Sequence, residues 1–287
     1  MRSMLRRFDV HRVTSIAEAV DARQRFGEDA AIYAGGTELL LAMKMGVARW
    51  PHLIDVKAIP ALGRITATND ALRIGATATH WDIERNALVG GALPALARLE
   101  ANVANVRVRA AGTLAGNLAF GEPHADPPSM LIALGARVVL EGKSGTRSVA
   151  VHEFITGMYQ TALAGDEIIV AIDIPLPAKD VRVAYVKFQI LERPSVGVAA
   201  LGTVRDGRFV GAPTVVVGAV DEVARAVPTA QFAGADARDA RTLDAIAEAA
   251  RAAVEPTADL AGSVEFKRHI VGVFTQRACA TLAAQAS

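Results

Sequence analysis

Ile16, Ala19, Val20 and Arg23 follow helical spacing behind Thr14 and Ser15, with Glu18 placed to complete a cap. That pattern predicts a helix over residues 15–26. Ala30-Ala31-Ile32-Tyr33 then predicts a short strand that runs directly into Gly35-Gly36. Residues 38–45 return to helical spacing, with Leu39, Leu40 and Met43 on one side, and Leu53 to Val56 predicts a buried strand. Strand, glycine turn, helix and strand make a small α/β unit.

A second unit follows. Leu72-Arg73-Ile74 predicts a strand, Thr79 or His80 opens a helix through Glu84, and Leu93 to Val103 predicts another helix. Beyond a glycine-rich segment around Thr113, a helix is expected over Ser129 to Leu134, entered through Pro127 and Pro128. Arg137 to Glu141 reads as a strand with a hairpin at Gly142 to Gly145, and Glu167 to Ile174 as a β-branched strand ended by Pro175 and Pro177. The pattern then changes. Val181 to Leu191, Val196 to Val204 and Thr214 to Val220 predict antiparallel strands, with Asp206-Gly207 as a two-residue turn. Helices over Thr242 to Val254 and Ser263 to Ala284 close the chain. A domain break is expected near residue 178, giving units 1–178 and 179–287, the first divided into about 1–57 and 58–178.

Composition narrows the function classes. The 287 residues are 52% hydrophobic and 21% charged, which fits a globular chain with room for two domains. A net charge of +1 lacks the basic excess of a nucleic-acid binder, and the cluster Arg2, Arg6, Arg7 reads as a solvated face. No segment approaches the roughly 20 apolar residues of a membrane span. Arg6-Arg7 is followed by Phe8-Asp9-Val10-His11-Arg12, without the apolar stretch of an export signal. The single cysteine, Cys279, forbids an internal disulfide and is expected to be buried filler in a reducing, cytoplasmic protein. One thiolate also cannot hold an iron–sulfur cluster, which takes about four.

Two segments carry candidate chemistry. Ala34-Gly35-Gly36-Thr37-Glu38 lies between a strand and a helix. Its glycines permit positive φ and close approach of a ligand, and the following amides open a helix, where an anion such as pyrophosphate is favoured. Taken alone, the segment reads as a plain strand-to-helix turn. It is neither Gly-x-Gly-x-x-Gly nor a phosphate loop ending in Gly-Lys-Ser/Thr. The second segment, Gly112-Thr113-Leu114-Ala115-Gly116-Asn117, leads to Glu122-Pro123-His124-Ala125-Asp126-Pro127-Pro128. Its backbone amides, with Thr113 and Asn117, can reach phosphate or sugar oxygens. Asp126 can accept from sugar hydroxyls, but on spacing alone it reads as an N-cap for Ser129 or Met130. His124 and Asp126 suggest a metal, yet no further His or Cys stands at ligand spacing. Ser129 has no nucleophile elbow around it.

These segments, in this order, resemble the FAD-binding medium subunit of the xanthine dehydrogenase and aerobic carbon monoxide dehydrogenase family of molybdenum hydroxylases. The resemblance rests on Ala34-Gly35-Gly36-Thr37-Glu38-Leu39-Leu40 with Met43-Lys44, on Ile74-Gly75-Ala76-Thr77-Ala78-Thr79, and on Thr113 to Asn117. The turn Pro123 to Pro127, the run Asp166 to Pro175 and Tyr185-Val186-Lys187-Phe188 extend it over nearly the whole chain. It implies an α+β fold: an N-terminal FAD domain of two α/β subdomains and a C-terminal domain with a small antiparallel sheet and helices. By resemblance, Ala34, Gly35, Gly36, Thr37 and Glu38 hold the FAD pyrophosphate together with Thr113, Leu114, Ala115, Gly116 and Asn117. Asp126 matches the ribityl-binding aspartate, and Val170 and Lys187 fall near the isoalloxazine ring. Two places depart from the family: Ala115 stands where a Gly-Gly pair is frequent, placing a Cβ beside the cofactor. The stretch Leu191-Glu192-Arg193-Pro194-Ser195-Val196-Gly197 replaces the usual arginine and aspartate after the lysine.

The function so implied is electron transfer within a complex. The molybdenum cofactor and 2Fe-2S clusters would lie on large and small partner subunits, in a dimer of heterotrimers. FAD on this chain would pass electrons to NAD, oxygen or a quinone, with no catalytic side chain required. One alternative is a stand-alone flavin oxidase drawing a base from Tyr159, Tyr185 or His152, residues that otherwise read as core aromatics or caps. Another is a non-enzymatic nucleotide-binding module.

Overall fold

A computed structural model of the chain describes residues 5–190 and 192–285, so Arg2 and Leu191 lie outside the described residues. The first sheet has three parallel strands in the order Asp9–Arg12, His52–Asp55, Ala30–Tyr33. The helix Ile16–Phe26 connects two of them, and Ser15 caps it by accepting from the Glu18 amide at 3.1 Å. The helix Leu39–Met45 connects the other pair. The strand Asp9–Arg12 has no apolar run to announce it. It is an edge strand, mostly exposed, and ladder pairing with His52–Asp55 defines it rather than burial.

The second sheet is antiparallel, in the order Ile65–Ala67, Ala71–Gly75, Ile168–Pro175, Arg137–Gly142, Gly145–Ala150. Short helices cover it. The helix expected over Leu93 to Val103 is Pro94–Glu100. Ala104, at φ 42°, breaks the continuation, and Asn105 then caps a separate helix, Val106–Ala111.

The third sheet, also antiparallel, runs Arg182–Gln189, Pro194–Arg205, Arg208–Gly218, Arg225–Ala226. Asp206 and Gly207 both take positive φ in the loop between Pro194–Arg205 and Arg208–Gly218, as a two-residue turn requires. The helix Val264–Ala284 packs on one face of this sheet, and Ala240–Ala252 packs against that helix. The sheet's central strand lies between two cores. Val196, Val198 and Ala200 join the C-terminal helices, while Ala199 and Leu201 join the core of the first two sheets. Side chains alternate across a strand, so this one is buried on both faces. The same alternation sets Tyr185 and Lys187 on one side of Arg182–Gln189, and both reach Asp126 in the N-terminal part.

Among the described residues no helix is long and apolar enough to cross a membrane. Cys279 is fully buried in the C-terminal core, and burial pushes its thiol up to about 12. Arg6 and Arg7 are exposed.

Candidate functional site: a cleft between two glycine segments

Ala34–Glu38 leaves the strand Ala30–Tyr33 and turns into Leu39–Met45. Gly36 takes φ 69°, a conformation side chains resist. Gly35 makes the close approach. A Cβ placed on it would lie 2.1 Å from the Ala111 carbonyl oxygen and 2.8 Å from Gly112 Cα. A Cβ on Gly112 would in turn lie 3.3 Å from Thr37 Oγ1. The two segments therefore meet backbone to backbone, 77 positions apart in the chain (Gly35 to Gly112).

The second segment is a helix start rather than a loop. Leu114–Phe120 is helical, and the Thr113 hydroxyl caps it by accepting from the Gly116 amide at 3.0 Å. Gly116 and Asn117 are weak helix formers, which hid this helix in the sequence pattern. Leu114 and Ala115 belong to the main core, with Ala115 4% exposed. Asn117 is different. Its Oδ1 is buried and has no hydrogen-bond partner among the described residues.

Asp126 does not cap its helix. It sits in the α region instead of the extended conformation of a cap, and its side chain makes no cap bond; Pro128 has no amide hydrogen to offer, which leaves only that of Ser129 at cap spacing. Its carboxylate turns toward the third sheet, where Tyr185 Oη donates to Oδ1 at 2.8 Å and Lys187 Nζ lies 3.0 Å from the same oxygen. Lys187 also donates to the Asn102 carbonyl at 2.6 Å. Gly197 makes room, since a Cβ there would come within 2.4 Å of the Tyr185 hydroxyl. Burial raises the Asp126 carboxyl above its ordinary value, and the Lys187 charge and Tyr185 hydrogen bond oppose that rise. Val170 stands apart from this cluster. It occupies an irregularity in strand pairing, and its carbonyl accepts from the Ala76 amide at 3.1 Å.

Three residues around the cleft carry no signal in the sequence beyond their types. Arg193, at the turn into Pro194–Arg205, donates to Glu38 Oε1 at 2.7 Å and also to Glu122. Tyr159, half-exposed at φ 56°, donates to Glu122 Oε2 at 2.8 Å. Burial alone would raise the Glu122 carboxyl, but hydrogen bonds from His124 and Tyr159 and the Arg193 charge outweigh it, holding it at about 2. Tyr159 is therefore neither core nor cap, while His152 lies exposed in a short helical turn. His124 is taken by Glu122 and by Asp259 at 3.1 Å, and among the described residues no three His, Cys, Asp or Glu side chains group as metal ligands. Glu38, Glu122, Asp126, Lys187 and Arg193 are all engaged by protein partners. What remains for a ligand is main chain, the Asn117 oxygen, the lone pairs that Tyr185 and Lys187 leave open on Asp126, and close walls.

A family model described as the FAD binding domain in molybdopterin dehydrogenase matches residues 6–177. The chain belongs to that family. A second model, described as the CO dehydrogenase flavoprotein C-terminal domain, matches residues 192–282. The carbon monoxide dehydrogenase medium chain of Hydrogenophaga pseudoflava is 34% identical over 278 residues, which cover 95% of this chain and 96% of that one. A solved structure of carbon monoxide dehydrogenase from the same organism, lacking the Mo-pyranopterin moiety of the molybdenum cofactor, superposes with a TM-score of 0.94 at 32% identity. It covers 99% of this chain and 100% of that chain. Quinoline 2-oxidoreductase from Pseudomonas putida 86 gives 0.93 at 29% identity, with 99% of each chain covered. As an FAD-binding medium chain of the molybdenum hydroxylase type, the protein takes FAD as its cofactor. The open Asn117 oxygen and the side-chain-free contact of Gly35 with Ala111 and Gly112 both fit a dinucleotide held largely by backbone.

Proposed function

We propose that Ala34–Glu38 and Thr113–Asn117 clasp the FAD diphosphate between them, with amides of both helix starts as donors. The convergence of Gly35 on Gly112 supports this most directly. Asn117 Oδ1 accepts from the cofactor, which removes the cost of a buried unpaired oxygen. Asp126 keeps lone pairs beyond those used by Tyr185 and Lys187, and these accept from ribityl hydroxyls. Val170 and Lys187 border the ring end. Bound FAD supplies the exchange between one-electron and two-electron transfer. The protein's part is to hold and orient it, and Arg193 ties the C-terminal domain to the first glycine segment.

In this reading the break between the domains falls near residue 178, and the chain works in a complex. An iron–sulfur small subunit delivers electrons from a molybdenum large subunit, in a dimer of heterotrimers, and an external acceptor removes them. The single buried cysteine supports placing the clusters elsewhere, and a reducing, cytoplasmic setting suits it. Co-purification with metal analysis, followed by FAD titration, tests the proposal. Flavin absorbance and a partner carrying iron and molybdenum are expected. Failure to take up FAD would remove the cofactor assignment, and a monomer oxidising an organic substrate unaided would favour a stand-alone enzyme.

A further inference from the structure

Beneath the second glycine segment lies a buried ionisable pair that the cleft itself does not use. His80 Nδ1 and Glu100 Oε2 are 2.5 Å apart, with His80 3% and Glu100 0% exposed. Glu100 Oε1 has no hydrogen-bond partner among the described residues. A fully buried carboxylate is costly, and a well-packed apolar pair in its place is often as stable, so fold stability alone gives little reason for this one.

Its position supplies a reason. The His80 amide donates to the Gly112 carbonyl at 3.0 Å, and Thr79 bridges Thr113 beside it. The imidazole lies against the same glycine, because a Cβ on Gly112 would sit 3.3 Å from His80 Cδ2. On another side of that point is Thr37 Oγ1, and Gly35 closes on Gly112 Cα. Gly112 is thus held between the first glycine segment and the imidazole, and Glu100 fixes how the imidazole is turned. Glu100 also acts on Asp126, whose carboxyl is raised chiefly by burial and further by the Glu100 charge.

We propose that His80 and Glu100 are positioning residues for FAD: the carboxylate orients the imidazole, which sets Gly112 and the Thr113–Asn117 start against Ala34–Glu38. This rests on the two segments being the FAD site. The test uses the full chain produced with its partner subunits, measuring FAD dissociation constant and melting temperature for His80→Asn, His80→Gln and the double variant His80→Leu/Glu100→Leu. Asparagine keeps an N–H near the place of Nδ1 and is expected to bind FAD within about twofold of wild type. Glutamine and the apolar double variant are expected to lose about tenfold, the scale of one hydrogen bond to a charged group. The double variant is expected to melt close to wild type, which a merely structural role for the pair would not combine with lost affinity. Wild-type affinity in the glutamine and double variants would overturn the proposal, as would equal losses in all three that follow melting temperature. Wild-type protein that binds no FAD, or a Gly36→Val variant that binds it normally, would instead overturn the site itself.

Discussion

Arg193 reaches Glu38 across 2.7 Å, joining the start of a C-terminal strand to the first glycine segment 155 positions earlier. The same guanidinium holds Glu122, so one side chain spans the cleft wall. Replacing it by methionine, which keeps much of the length without the charge, should lift the Glu122 carboxyl from about 2 toward its ordinary 4.5. A depressed carboxyl contributes stability above the ordinary value, and that contribution disappears as pH falls toward 2. The gap in urea midpoint between wild type and Arg193→Met is therefore expected to be widest above pH 4.5 and to close on acidification. A gap of constant size would show that Arg193 does not act through Glu122.

Asp126→Ala separates a cap from a buried ion-pair partner. Loss of a cap costs about 1 kcal/mol. Leaving Lys187, with 12% of its side chain exposed, and the Tyr185 hydroxyl without their acceptor should cost about 3 kcal/mol. Urea unfolding distinguishes the two. A loss near the smaller figure would mean that the Asn102 carbonyl, which Lys187 already contacts, suffices to hold its charge.

Gly36→Val should weaken FAD binding, and the structure gives a steric cause inside the protein. At φ 69° a β-branched residue is strained, and a Cβ would lie 2.3 Å from Tyr33 Cε2. Adding Tyr33→Ala to Gly36→Val is expected to recover part of the lost stability, because it relieves the collision and leaves the backbone strain. Gly35→Ala should be worse. Its neighbour is the Ala111 carbonyl at 2.1 Å, which cannot swing aside as a ring can, so the two segments must separate. Isothermal titration with FAD is the measurement, and normal affinity in Gly35→Ala would deny that contact any part in the site.

Cys279 should be inert in the folded protein. Its thiol is fully buried and pushed up to about 12 by that burial, so almost no thiolate exists at neutral pH. An aromatic disulfide reagent is expected to leave the native chain unmodified for hours and to label one thiol in guanidinium. Rapid labelling of the native state would place the long C-terminal helix in a looser environment.

Much of this architecture can be read from periodicity. The helix over Ile16–Phe26, the strand Ala30–Tyr33 and the hairpin at Asp206-Gly207 follow from apolar spacing and turn chemistry that need no tertiary partner. The helix Leu114–Phe120 does not, because Gly116 and Asn117 interrupt its helix-forming pattern, and a Thr cap and core burial stabilise it. Asp126 misleads for a related reason. An aspartate before prolines has the local pattern of a cap, and only the third sheet shows where its carboxylate goes. Arg193, Glu122 and Tyr159 come together from three distant segments, and no local spacing encodes that meeting. The glycine segments pointed to a family only as an ordered set, since each alone is an ordinary turn.

Tyr185, Lys187, Arg193 and Asp259 all lie after both glycine segments in the chain, yet they are the groups that reach back to Asp126, Glu38 and His124. A polypeptide still emerging from the ribosome has both glycine segments before it has any of these fastenings. In the proposed FAD site, secure retention of the nucleotide is thereby deferred until the third sheet has been synthesised, and a product truncated before it would carry an open, leaky vessel.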